Sequence, residues 1–550
     1  MSGLVGRRSA FARFIVRVSA RLGADARELA CLAALLAVAA AVRLANLPAR
    51  GGWDSDQGTE MLAMRNAITG GGLPVFGPQA SSLGGNFHHG ALYYDLLLPA
   101  TWLGNGDPTF VVTEIALLSL LVVPIVWWMA RSIGGTAAGL IAATLAAVSA
   151  SLIGYATFIW NPTLLEPAAA VAFLGAWQAL RTGRPQWWLV AAAGSAVAMQ
   201  SHVAAGVIVV PMAAAFVAAL RRSPASGRRR VAAWGAAAVA LVALSYLPVI
   251  AYELSHGFPE TRGIIGHFTG PESTPARDPL TRLLFSAIRI LAWPLTRWPL
   301  VDLKPSFLPS VAVALTLALG LTWRALKTGP SSETIDGAAA ATPASSTAPA
   351  EREGVRFVGG MLSLIILTLG LGLRAVSEVQ GLPTEQYHVI ADPLVLVAAG
   401  VVLAGIWRAG GGGLARQIGR GAAVAALAGL VAWNVGHWPP FASPDGGWPA
   451  AQAAASRIEG ISAGSPVALV PLFEEKGGDA YAYPLQRDGT TLVEVDRANV
   501  VVVLCDTYWL TGCGGPAEAA WLATQPGGLT QVDRFAAAPD RIMTVYRRSP

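Results

Sequence analysis

The chain has 550 residues, of which 54% are hydrophobic and 13% charged, with a net charge of +6 and a mean hydropathy of +0.51. A soluble domain carries roughly 25% charge, so a large soluble enzyme and a disordered chain are both excluded. The composition points to a polytopic membrane protein with aqueous attachments, and its basic excess suits the orientation of helices across a bilayer rather than nucleic-acid binding.

In chain order, residues 1–28 form a basic segment carrying Arg7, Arg8, Arg13, Arg17, Arg21 and Arg27, which is expected to be cytoplasmic. No convincing cleavage site follows the first apolar run, so it does not read as a secretory signal. Apolar stretches near the ~20-residue length of a span follow at 29–46, 109–130, 136–154, 163–180, 231–252, 306–324, 357–374, 389–407 and 419–435. Two more, 91–103 and 283–298, are short or interrupted, and 187–220 is too long for one span. Basic clusters at Arg131, Arg181/Arg184, Arg221–Arg230, Arg324–Arg356 and Arg408–Arg420 should share the cytoplasmic side. Parity then makes 91–103 and 283–298 outer-face elements, and splits 187–220 near Gln200-Ser201-His202 into two short helices. The result is an all-α transmembrane domain over 29–435 with about eleven crossings and an outer C-terminus.

Residues 327–354, rich in Ser, Ala, Thr and Pro, read as a disordered cytoplasmic loop. Residues 448–550 read as a small α/β domain outside the membrane. Strand-like runs lie at Val467–Leu472, Val500–Leu504 and Ile542–Tyr546, and helix-like segments near 449–458 and 516–524. Cys505 and Cys513 fall on the side where a disulfide persists. Two free thiols are the alternative, since spacing does not set geometry. Cys31 reads as a packing residue of the first helix.

All seven histidines, His88, His89, His202, His256, His267, His388 and His437, fall in outer loops or at outer helix ends, which points to an outward-facing polar cavity. The outer loop 47–108 opens with Trp53-Asp54-Ser55-Asp56-Gln57, passes through a helical stretch at 59–69, and reaches Asn86-Phe87-His88-His89-Gly90-Ala91-Leu92-Tyr93-Tyr94-Asp95. A carboxylate held at the bilayer surface is partly desolvated, which raises its pKa and suits a general base. The plainer reading is a helix N-cap, for which Asp56 is well placed.

Arg43 near the end of the first helix, Trp53 to Gln57, the Gly72-Leu73-Pro74 turn and His89 to Tyr94 together resemble the first outer loop of the GT-C membrane glycosyltransferases. The branch they resemble contains protein O-mannosyltransferases and lipid A aminoarabinose transferases. The resemblance covers roughly residues 40–260 and is architectural beyond them. It implies a GT-C-like fold and transfer of a sugar from a polyprenyl-phosphate donor, at the outer membrane face, to a glycan, lipid or protein acceptor. It also implies a first-loop aspartate as base: Asp56 by position, with Asp54 next. The acid that follows that aspartate in the family is Gln57 here. The family's second acid falls at Asn161, with Glu166 a turn further on. These departures weaken the case for a divalent metal, for which His88 and Glu166 remain candidates. No organic cofactor is called for, and no Gly-rich phosphate loop is present.

Such chemistry needs cations for the leaving phosphate. Arg262, His267, Arg282, Arg297, Lys304, Arg374 and His388 lie in outer segments, and Glu385-Gln386-Tyr387-His388 resembles the family's outer loop near the lipid phosphate. The donor-binding candidates are therefore Arg297, Arg262, His388, Tyr387, His89 and Asn161. Interfacial snorkelling is the alternative for Arg297, and an aromatic-belt position for His388. Two other classes compete. A lipid-linked sugar flippase or transporter is expected to carry buried charge on its spans, of which the confident spans show none in sequence. The other is a non-catalytic partner protein that binds a polyprenyl lipid.

Overall fold

The computed structural model describes residues 24–80, 87–269, 278–297, 308–327, 347–372, 385–409, 412–472, 478–506, 513–526, 528–539 and 541–549. Helix α1 (Ala26–Leu44) starts at Asp25, whose side chain accepts from the Glu28 N–H at 2.7 Å. The first loop then folds into α2 (Ser55–Asn66) and a short antiparallel hairpin of β1 (Phe76–Gln79) and β2 (His88–Gly90). Helix α3 (Leu92–Leu103) follows with 12 residues. At 1.5 Å per residue it is about 18 Å long, too short for a ~30 Å hydrocarbon core.

Helices α4 (Pro108–Leu120) and α5 (Val122–Val148) read as one 41-residue apolar stretch. Gly135 breaks it with φ 78°, a conformation that favours glycine. A Cβ on Gly139 would lie 2.9 Å from the Trp127 carbonyl oxygen. Residues twelve apart on a straight helix are about 18 Å apart, so the chain doubles back at Gly135 into a hairpin. Helices α6 (Leu165–Thr182), α7 (Trp187–Ser201) and α8 (Val209–Arg222) come next, with the expected break at His202 in extended conformation. Helices α9 (Ala225–Ser245) and α10 (Leu247–His256) are bent by 62°. They precede α11 (Pro259–Thr269), α12 (Pro279–Thr296), α13 (Leu308–Lys327), α14 (Thr347–Gly372), α15 (Asp392–Arg408) and α16 (Gly413–Gly436). Among the described residues seven helical stretches are long and apolar enough to cross a membrane, eight if the bent pair counts as one span.

Two sequence expectations need correction. The loop expected over 327–354 is helical from Thr347 onward, while 328–346 lie outside the described residues. Glu351 and Glu353 give this first part of α14 a reason to be ordered. Glu351 pairs with Arg324 and, at 3.4 Å, with Arg408; Glu353 pairs with Arg222. Nor is the bundle free of buried charge: Arg43, Glu166, Arg289 and Asp392 are all buried. Arg43 ends α1 and donates to the Ala146 and Ala147 carbonyls at 3.0 Å each, capping the end of α5.

The ends of the bundle differ in charge. Glu28 with Arg131 (2.7 Å), Arg222 with Glu353, and Glu351 between Arg324 and Arg408 join α1, α5, α8, α13, α14 and α15 at one end. The first loop and the C-terminal region pack together on the other. There α17 (Gly447–Ser462), β3 (Val467–Pro471), α18 (Asp479–Arg487), β4 (Val500–Asp506), α19 (Pro516–Ala523), β5 (Leu529–Ala538) and β6 (Arg541–Arg548) build a sheet of order β3-β4-β6-β5. The β3–β4 pair is parallel and the other pairs are antiparallel. Cys505 and Cys513 are disulfide-bonded, with Cα atoms 5.3 Å apart. Trp53 ties the loop to this domain: its indole N–H donates to the Ala480 carbonyl at 2.7 Å, and its ring centroid is 4.6 Å from that of Trp448.

Candidate active site

The site begins at the start of α2. Asp54, with extended φ −132°, is the N-cap. Its carboxylate accepts from the Asp56 N–H at 2.8 Å, and Gln57 Oε1 accepts from the Asp54 N–H at 2.9 Å to close a capping box. This corrects the expectation that Asp56 caps the helix. Asp56 is already inside the first turn, half-exposed, where the N-terminal end of the helix dipole favours a negative charge. Gln57 donates to the Ile159 carbonyl at 2.7 Å, so its amide holds α2 against the 158–161 segment.

One turn after Asp56 sits Glu60, which the sequence reading passed over. It is 2% exposed. Its Oε1 accepts from the Asn161 N–H at 3.2 Å, and its Oε2 accepts from the Tyr93 hydroxyl. Burial pushes its pKa up to about 8, against the opposing pull of the Tyr93 hydrogen bond. Asn161 in turn donates to the Ser201 carbonyl at 2.6 Å, which leads into the break between α7 and α8.

At that break His202 is sandwiched by aromatic rings from two other segments. The His89 ring stacks on it at 4.9 Å between centroids, and Tyr387 meets it edge-on at 5.4 Å. Burial lowers His202 to about 4 and His89 well below the usual histidine range, so both imidazoles are neutral at pH 7. The cation of this region is another residue that the sequence reading missed, Arg289 of α12. It is 3% exposed, and its Nε donates to His388 Nε2 at 3.1 Å. A single arginine inside the apolar run Phe285–Trp293 was the available signal.

Glu60, Asn161 and Ser201 thus form a contact chain that leads to His202, His89 and Tyr387, with Asp56 one helical turn before Glu60 and the His388–Arg289 pair next to Tyr387 in sequence. Arg262 lies away from it, and Arg297 has Tyr155 as an electrostatic neighbour in common with Arg289. Arg297 ends α12 and donates to the His437 carbonyl at 3.3 Å, and Arg262 lies exposed on α11 near Glu253. Lys304 and Arg374, and the side chain of His267, lie outside the described residues. The two metal candidates face different partners. His88 Nδ1 lies 3.0 Å from Glu260, whereas Glu166 lies against Asp392 and Ser151 inside the bundle. Among the described residues the one His/Cys/Asp/Glu group at ligand spacing is Cys505, Cys513 and Glu518, whose cysteines are consumed by the disulfide.

The profile of the dolichyl-phosphate-mannose-protein mannosyltransferase family matches residues 101–252. ArnT from Cupriavidus metallidurans bound to undecaprenyl phosphate superposes with a TM-score of 0.56 at 14% identity, covering 93% of this chain and 97% of that one. The fold is the GT-C fold. Apo ArnT gives a TM-score of 0.55 at 13% identity over the same shares. An oligosaccharyltransferase from Archaeoglobus fulgidus gives 0.48 at 10% identity, covering 96% of this chain and 74% of that one. No curated protein matches the sequence. The GT-C fold and the apolar helices make this a multi-pass membrane protein. The fold also explains why a loop, a helix break and an inter-helix segment distant in sequence meet at one end of the bundle.

Proposed function

We propose that the chain is a glycosyltransferase that moves a sugar from a polyprenyl-phosphate donor to an acceptor hydroxyl at the outer face of the cytoplasmic membrane. The observation that carries this reading is the contact chain from the Asp56 helix to the buried Arg289–His388 pair, running through Asn161, Ser201, His202 and Tyr387. The reading takes Asp56 as the carboxylate and Arg289 as the cation that displacement at a sugar phosphate requires.

In this reading Asp56 takes the proton of the acceptor hydroxyl as its oxygen attacks the anomeric carbon. The bond from that carbon to the donor phosphate oxygen breaks, and polyprenyl phosphate leaves. Arg289, oriented by its hydrogen bond to His388, takes the growing charge on the phosphate. ArnT was solved with undecaprenyl phosphate, which supports a lipid phosphate as the donor's carrier. Outer-face placement is supported by the gathering of Arg131, Arg222, Arg324 and Arg408 at the opposite end.

The test is sugar transfer in membrane extracts supplied with radiolabelled polyprenyl-phosphate sugars. Asp56→Asn should lower transfer by about 10²–10⁴-fold with normal membrane insertion; unchanged transfer removes Asp56 from the role. The buried charges Arg43, Glu166 and Asp392 favour a transporter as the second reading. That reading expects lipid-linked sugar to cross proteoliposomes without any glycosylated product.

A further inference from the structure

Asp56 and Glu60 lie four residues apart on α2 and so share one face, with Cβ atoms about 5–6 Å apart. Two carboxylates that close are unlikely companions as anions when one of them is buried, since removing the second proton must overcome both desolvation and repulsion. The surroundings of the two differ. Asp56 is half-exposed in the first helical turn. Glu60 is buried and bridges two other segments, the Asn161 N–H at 3.2 Å and the Tyr93 hydroxyl. The ionisable groups around Glu60 are Asp54, Asp56 and Arg65 on its own helix, Tyr93 and Tyr94 on α3, and Asp479 on α18. Arg65 is turned to the Arg487 carbonyl at 3.3 Å, and Arg487, the cation that ends α18, pairs with Asp488 at 3.3 Å.

We propose that Glu60 is a positioning residue that carries a proton at neutral pH, joining α2 to α3 and to the 161–164 turn without adding a second negative charge beside Asp56. The proposal rests on the reading of Asp56 as the base. The protonated acid keeps Oε1 for the Asn161 N–H and Oε2 as the acceptor of the Tyr93 hydroxyl. Ionisation above about pH 8 places a second anion in the site and repels the anionic donor phosphate.

Purified full-length protein is assayed with a polyprenyl-phosphate sugar from pH 6 to 10, comparing wild type with E60Q, E60A and D56N. Gln mimics the protonated acid in shape and charge. E60Q should therefore keep kcat/KM at pH 7 within about threefold of wild type. The donor KM of wild type should rise as pH climbs through about 8, and that of E60Q should stay flat. E60A, which drops both tethers, should lose activity at every pH. The proposal is overturned if E60Q has the wild-type thermal midpoint yet is inactive at pH 7, or if it retains the alkaline rise in donor KM. A fully active D56N sinks the base reading and this proposal together. An inactive D56N beside an E60Q with the wild-type profile sinks the proposal alone.

Discussion

Asp54 and Asp56 stand two residues apart and do different work. The Asp54 carboxylate is occupied by the first turn of α2, where it accepts from the Asp56 N–H. Removing an N-cap costs about 1 kcal/mol and leaves chemistry unnamed. Asp56 points from that turn with its charge favoured by the helix end. The proposed reading assigns the donor phosphate to Arg289 rather than Arg297, because Arg289 is the one buried against His388. Arg289→Ala is expected to raise the donor KM at least about tenfold, the size of a lost charge-assisted hydrogen bond. Arg289→Lys should fall between, since an ammonium cannot reproduce the guanidinium fork. Arg297→Ala should leave the donor KM within about twofold. Steady-state kinetics over donor concentration reads all three, and equal effects of Arg289→Ala and Arg297→Ala would refute the assignment.

At the scale of elements, glycines decide how two helices meet their neighbours. Gly135 turns the α5 stretch into a hairpin. Gly58 lets α2 lie directly on the C-terminal domain: a Cβ there would come within 2.1 Å of the Asp479 carbonyl oxygen. In an isolated helix Gly→Ala adds stability. Here the clash is with backbone, so Gly58→Ala should instead destabilise by about 1–3 kcal/mol and lower the thermal midpoint in detergent. A raised midpoint would mean that the two units are not docked as described. Apolar run length and the parity of arginine clusters made most helices legible, including the short α3 and the break at His202. It did not reveal β5 or α18. The β5 strand is an edge strand with Asp533 and Arg534 at its middle and two register irregularities, so its polar–apolar alternation is broken. The α18 helix contains Pro484, which reads as a breaker in sequence.

The whole molecule is polarised. Ion pairs of Glu28, Glu351 and Glu353 with arginines gather at one end, and the loop, the sheet domain and the disulfide gather at the other. The proposed orientation, with the first end in the cytosol by the positive-inside rule and the disulfide end outside, is open to test. In a Cys31→Ala background, a cysteine at Val532, 45% exposed on β5, should react with an impermeant maleimide in intact cells. A cysteine at Leu414, 71% exposed at the start of α16, should react only after permeabilisation. The reverse pattern would place the Asp56 loop in the cytosol and undo the outer-face reading.

What the amino-acid sequence determined by itself is the class of molecule. Hydropathy runs set the helices, arginine spacing set which ends belong together, and short motifs in the first loop pointed to the GT-C fold. All of these are local or additive along the chain, so they survive being read in one dimension. That Glu60 bridges Tyr93 and Asn161, and that Arg289 meets His388, were decided by tertiary structure alone. Each depends on contacts between segments tens to hundreds of residues apart. Burial there sets the charge of a side chain, and no pattern along the chain records it.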